Sequence, residues 1–194
     1  MTKDVVIVGA ARTPIGSFGG SLSSLPASGL GRVAIEALLT RSGVAPEEVD
    51  EVIMGQILTA NTGQNPARQA AMAAGIPQEK TAYGINQWCG SGLRSVALAA
   101  QGIALGDADV VIAGGQENMS CSPHVAYLRD GTKMGELKVL DTLLRDGLND
   151  VFQGYHMGVT AENIAKRWNL SREDQDAFAA ASQQKVEAAR LCCC

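Results

Sequence analysis

The sequence predicts an α/β fold of the layered α/β/α kind. Short apolar runs rich in β-branched residues alternate with helical patterns along the first part of the chain. Glycine is abundant, with 22 copies, and falls beside those runs, which suits tight strand-to-helix turns. Alternation of this type favours parallel pairing, with helices covering the sheet.

Taken in order, Val5–Val8 reads as a first strand. Ser28–Arg41 follows as a helix, with Leu30, Val33, Ala34, Ala37 and Leu38 on one face. Pro46 opens a short helical turn in which Glu47 and Glu48 suit the N-terminal position. Glu51–Ile57 is the second strand. Pro66–Ala74 is an alanine-rich helix stopped by Gly75, and Thr81–Ile85 is the third strand. Gly90–Leu105 is the clearest helix, carrying Leu93, Val96, Ala97, Ala100, Ile103 and Ala104 as a stripe. Val110–Ala113 is the fourth strand. The rhythm then stops, and Gln116–Gly158 is a long region with little periodicity, of the sort that serves function or assembly. Helix returns at Thr160–Trp168. The capping-box pattern from Ser171 to Asp174 starts a last helix running to about Arg190. No strand follows it, as expected of an α/β chain that has been cut. The expected division is a core over 1–115, a loop excursion over 116–158, returning helices over 159–191 and an atypical cysteine tail over 192–194.

The bulk chemistry excludes several classes of function. A net charge of -4 with no cluster of Lys and Arg argues against nucleic acid as a partner. Val5–Val8 is too short for a signal segment or a membrane span. Cys89 and Cys121 are isolated, and Cys192, Cys193 and Cys194 end the chain without a Cys-x-x-Cys pair or a nearby histidine. Neither a disulfide framework nor a metal site is expected, and a reducing, cytoplasmic setting is the simplest reading. A soft-metal role for the tail is the alternative.

Chemistry concentrates at Thr81–Leu93, where a strand ends at Asn86, a sharp turn holds Cys89 and a helix begins with small residues. A thiol there meets the unpaired N–H groups and positive dipole end of the helix, which favour the nucleophilic thiolate. Its own N–H is available to an oxyanion. On position alone the competing reading is a small buried hydrophobe. His156, between Tyr155 and Met157, is open to the same choice between a packed, hydrogen-bonded ring and a ligand contact. His124 reads as a surface histidine and Cys121 as structural.

The Cys89 turn resembles the thiolase nucleophile motif Asn-x-x-Cys-x-Ser-Gly, with Asn86, Cys89, Ser91 and Gly92 in its places. Further blocks resemble the same family in the same order: Val6–Gly16, Gly63–Gln69, Gly114–Ser120, Asp146–Asp150, Gly154–Gly158, Thr160–Asn163 and Ser171–Phe178. The resemblance covers nearly the whole chain to about Arg190. It implies a thiolase-like N-terminal α/β/α domain with an inserted long loop region, from an enzyme of the acetyl-CoA acetyltransferase type.

The family likeness implies that Cys89 accepts an acetyl group from one acyl-CoA and passes it to the α-carbon of another, or cleaves a 3-ketoacyl-CoA in reverse. It implies contacts from Leu148, His156 and Met157 to the pantetheine arm and acyl group, with coenzyme A as substrate and no separate cofactor. It also implies a homo-oligomer: a dimer through residues 81–85, and a tetramer through the loop from Gln116 to Leu140. Three family motifs are absent from these 194 residues: the Gly-His-Pro base, the Cys-x-Gly acid and the Asn-Glu-Ala-Phe oxyanion site. The expectation is therefore an acyltransferase sequence that does not turn over by itself. The alternative is an inactive half-domain that only self-associates.

Overall fold

The computed structural model describes residues 4–192, so Cys193 and Cys194 of the tail lie outside it. Contacts divide the chain into two units, Met1–Gly147 and Leu148–Cys194, and each is described by itself.

The first unit is built on a parallel three-stranded sheet of β1 (Glu51–Gly55), β2 (Thr81–Ile85) and β3 (Val111–Gly115), in the order β2-β1-β3. Glu51 pairs with Thr81 on one side and Val111 on the other, so the C-terminal ends of all three strands are level. Strand alternation sends Val52, Met54 and Ile112 to one face. There they form a core with Ile35 and Leu39 of α1 (Ala27–Ser42) and Ala67, Ala70 and Ala71 of α2 (Pro66–Ala73). Val52 and Ile53 are fully buried, each worth about 1.5–3 kcal/mol of hydrophobic transfer. Ile53 and Gly55 turn to the opposite face, where α3 (Ser91–Leu105) packs on β1 and β3. The layers are therefore α/β/α, as the alternation predicted.

Local signals set the helix ends. Pro66 occupies the first turn of α2, and the Asn65 side chain accepts the Arg68 N–H. Gly43 and Gly106 close α1 and α3 in the left-handed conformation. The predicted turn at Pro46 is a 3₁₀ segment, Pro46–Glu48.

The predicted strand Val5–Val8 does not form. A strand exists only through a ladder, and this segment joins neither edge of the sheet; Val6, Ile7 and Val8 are 73%, 82% and 67% exposed. Gly9 instead lies close against Leu38 and Ser42 of α1, and the Ala10 carbonyl accepts from Arg41. The long region after Gly115 also has more order than its composition suggested. It holds a 3₁₀ turn, Met119–Cys121, a short antiparallel pair of β4 (His124–Val125) and β5 (Leu140–Asp141), and a π-helical turn, Leu143–Leu148.

In the second unit, α4 (Met157–Trp168) is followed by α5 (Arg172–Cys192). The capping box forms as predicted: the Asp174 N–H donates to the Ser171 hydroxyl, and the Ser171 N–H returns to the Asp174 carboxylate. Among the described residues no helix is long and apolar enough to cross a membrane.

Asp50 joins the approaches to β1 and β3. Its carboxylate accepts the Asp109 N–H at 2.9 Å and the Val110 N–H at 3.1 Å, with Lys80 Nζ at 3.4 Å. Those bonds, the Asp109 N–H foremost, hold its pKa below the ordinary carboxylate value. A depressed folded pKa means that this stabilisation is present above the unfolded value and lost as pH falls through the folded one. Asp50→Asn is expected to cost about 1 kcal/mol at neutral pH and nothing below that window, read from denaturant melts at both pH values.

Candidate active site

Because the three strands end level, the loops that leave them meet at one end of the sheet, where open α/β sheets hold their ligands. A cavity of 1160 Å³ lies there, lined by Gly55, Gln56 and Ile57 after β1, Trp88 and Cys89 after β2, and Gln116 to Ser120 after β3. The segment from Ala10 to Phe18 supplies another wall, together with Arg41 from α1.

Cys89 is exposed on this cavity. It stands one residue before Gly90, the N-cap of α3, so it precedes the first helical turn. Hydrogen bonds on both sides shape its loop. The Ser91 hydroxyl, nearly fully buried, donates to the Trp88 carbonyl at 2.6 Å and accepts the Gln87 N–H at 2.8 Å. The Asn86 side chain accepts the Trp88 N–H at 3.0 Å. Trp88 itself has φ 47°, a left-handed conformation that costs a bulky residue energy and that neighbouring bonds must hold in place. The motif residues Asn86 and Ser91 thus build the turn that presents Cys89.

Close helix approach completes the arrangement. A Cβ at Gly55 would lie 2.6 Å from Ser91 Cβ and 2.8 Å from the Gly92 nitrogen, so only glycine lets α3 start against the end of β1. Ser95 donates to the Gly92 and Gly114 carbonyls at 2.7 and 2.9 Å, fixing the first turns of α3 to β3.

Two groups beside this site, Gln116 and Glu117, were expected only as part of the tetramer loop and not in the site itself. Gln116 donates to Gln56 Oε1 at 2.9 Å, Gln56 donates to the Leu58 carbonyl, and Gln116 Oε1 is buried against Gly31. Glu117 accepts the Ile57 N–H at 2.8 Å and the Leu58 N–H at 3.3 Å. Burial raises its pKa above the ordinary carboxylate value, against the lowering effect of those two N–H groups. The available signal was a charged residue two positions past the end of a strand, within Gly114–Ser120.

Cys121 is also exposed, but its thiol is committed as a donor to the Ser23 carbonyl at 3.1 Å and the Leu25 carbonyl at 3.4 Å. Asn118 donates to the Leu22 and Leu25 carbonyls, so the same short stretch pins residues 22–25. His124 lies on β4, exposed, with Asp141 Oδ2 at 4.0 Å.

Leu148, His156 and Met157 belong to the second unit. There Asn149 and His156 form an antiparallel bridge, and Asp150 N–H donates to the Tyr155 carbonyl at 2.8 Å, which brings Leu148 and Met157 to the same end of one turn. His156 caps α4, its Nδ1 accepting the Gly158 N–H at 2.9 Å. That bond commits Nδ1 as an acceptor and leaves Nε2 as the ring's second polar atom.

The family model "Thiolase, N-terminal domain" matches residues 5–191. The chain is 62% identical over 186 residues to the acetyl-CoA acetyltransferase of Rhizobium meliloti (strain 1021), a match covering 96% of this chain and 47% of the relative. It is 59% identical over 190 residues to the acetyl-CoA acetyltransferase of Shinella zoogloeoides, covering 98% and 48% of the two chains. It is 56% identical over 186 residues to the cytosolic acetyl-CoA acetyltransferase of Rattus norvegicus, covering 96% and 47%. The chain therefore spans about half the length of the curated relatives it matches. With the nucleophile-type turn, the three converging strand ends and a match of this extent, the chain belongs to the thiolase family.

Proposed function

We propose that this chain carries the acyl-accepting half of an acetyl-CoA acetyltransferase, with Cys89 as the nucleophile. The observation that carries the reading is an exposed thiol on a hydrogen-bonded turn, at the mouth of a cavity large enough for an acyl-pantetheine group. The Cys89 thiolate attacks the acetyl-CoA carbonyl, an S-acetyl bond forms, and coenzyme A leaves as its thiol after taking up a proton. The acetyl group then passes to the α-carbon of a second acyl-CoA, whose α-proton is removed, giving a 3-ketoacyl-CoA and restoring the cysteine. Thiolysis is the reverse. Coenzyme A is a substrate here, and no metal or other cofactor takes part. The Cys89 N–H donates to the thioester oxyanion, and Leu148, His156 and Met157 contact the pantetheine arm and acyl group. The setting is cytosolic, in line with the names of the rat and mouse relatives.

Incubation with acetyl-CoA tests the first half-reaction. Peptide mass spectrometry is expected to find the acetyl group on Cys89 and not on Cys121; equal labelling of both would remove the nucleophile from this position.

The same reading includes a homo-oligomer, dimeric through residues 81–85. What supports it is that β2 ends the sheet on one side and presents Tyr83 and Gly84 without a charge to blunt the edge. Isologous pairing would satisfy its outward N–H and C=O groups. Against it, the Asn65 side chain already donates to the Ala82 carbonyl at 2.8 Å. Light scattering after size exclusion is expected to give a dimer at tens of micromolar; a stable monomer would mean that Asn65 suffices to close the edge.

A further inference from the structure

We infer that Glu117 is a positioning residue for the Cys89 turn, acting through a relay of hydrogen bonds that runs from the loop after β3, across the loop after β1, to the residue beside the nucleophile. The inference rests on the reading of Cys89 as the acyl acceptor. Its first link is the carboxylate, which accepts the Ile57 N–H at 2.8 Å and the Leu58 N–H at 3.3 Å. The second is the Ile57 carbonyl, which accepts from Asn86 Nδ2 at 3.4 Å. The third is Asn86 Oδ1, which accepts the Trp88 N–H at 3.0 Å. Trp88 is the left-handed residue directly before Cys89. Each step fixes a peptide that the next step uses, so the carboxylate sets where Ile57 lies, Ile57 orients the Asn86 amide, and Asn86 holds Trp88 in its strained conformation.

Two further observations give the carboxylate this task. It is partly buried, a costly place for a charge that serves only the surface. Its recorded partners are backbone N–H groups of one loop, with no salt bridge among the described residues. The other charged side chains lining the cavity are Arg12 from the N-terminal segment and Arg41 from α1, and Arg41 donates to the Ala10 carbonyl. Cys89 is the remaining titratable group on that wall. Protonation of Glu117 weakens charge-assisted bonds to Ile57 and Leu58 and so loosens the first link.

The test uses the 194-residue chain, with iodoacetamide as probe and Cys121 as internal reference. The rate ratio of Cys89 to Cys121 is measured by mass spectrometry from mildly acidic to neutral pH. In the parent chain the ratio is expected to fall as pH drops through a step above the ordinary carboxylate range. Glu117→Gln is expected to lower the ratio about tenfold at neutral pH and to flatten its pH profile, since a misplaced reacting group costs up to about 10²-fold. Asn86→Ala cuts the relay at its far end, on an exposed side chain, and is expected to give the same low, flat ratio even if Glu117→Gln does not fold. A residue that only stabilised the fold would lower the melting temperature and leave the ratio and its pH profile alone. Parental ratios and profiles in folded Glu117→Gln or in Asn86→Ala would overturn the inference. Acetylation of Cys89 by acetyl-CoA, measured in parallel on the parent chain, decides the nucleophile reading separately.

Discussion

Gly55→Ala is expected to be the most damaging single-methyl change in the sheet, costing about 3 kcal/mol. The added carbon would sit 2.6 Å from Ser91 Cβ, 2.7 Å from the Ser91 carbonyl carbon and 2.8 Å from the Gly92 nitrogen. Two of those atoms are backbone, so no rotamer change relieves the clash. Either β1 or the start of α3 must move, and moving α3 pulls Ser91 from its bonds to Gln87 and Trp88. Stability and the Cys89 turn should therefore fail together. Gly102→Ala is the control. It lies in the same helix, with nothing within 4 Å of a new Cβ, and should stabilise by about 0.5–1 kcal/mol through the lost freedom of glycine. Chemical denaturation of both variants checks the pair; equal effects would show that the close approach of β1 and α3 is not the cause.

The second large effect concerns turnover. The 194-residue chain is expected to show no detectable steady-state thiolysis of acetoacetyl-CoA, even where Cys89 accepts one acetyl group. Residues 1–194 contain no Gly-His-Pro, Cys-x-Gly or Asn-Glu-Ala-Phe motif to serve as base, acid and second oxyanion site. General acid–base catalysis supplies about 10²–10⁴-fold and one oxyanion donor about 10²–10³-fold. These factors do not multiply cleanly, because groups that act together lose their effect together. Adding a chain segment that carries the three motifs is expected to restore turnover. A thiolysis rate in the 194-residue chain that vanishes in Cys89→Ala would show that the second set of groups is dispensable.

Helices and most strands were legible in the sequence because their causes are local. Pro66 at the head of α2, the Ser171–Asp174 box and the glycine stops at Gly43 and Gly106 all act within about a turn of chain. The apolar stripe read on α3 marks the helix but not its packed face: Leu93 is 78% exposed, and α3 meets the sheet through Ser91, Ser95 and Ala99. The Cys89 turn was legible for the same reason, since Asn86 and Ser91 lie within a few residues of it and build it together.

What the sequence by itself determined was most of the helices, the three paired strands of the sheet and the turn that holds the thiol. The tertiary structure decided which distant groups meet there. Val5–Val8 has every local mark of a strand and forms none, because a strand needs a partner backbone that its own residues cannot supply. Glu117 reads as an ordinary acidic residue until β1 and β3 lie side by side and put it on the N–H groups of Ile57 and Leu58, some 60 residues earlier in the chain. Gly55 reads as the end of an apolar run until α3 crosses it. Periodicity and caps report forces that act along the chain; pairing, close approach and buried charge depend on what folding brings beside them, and only the packed structure contains that information.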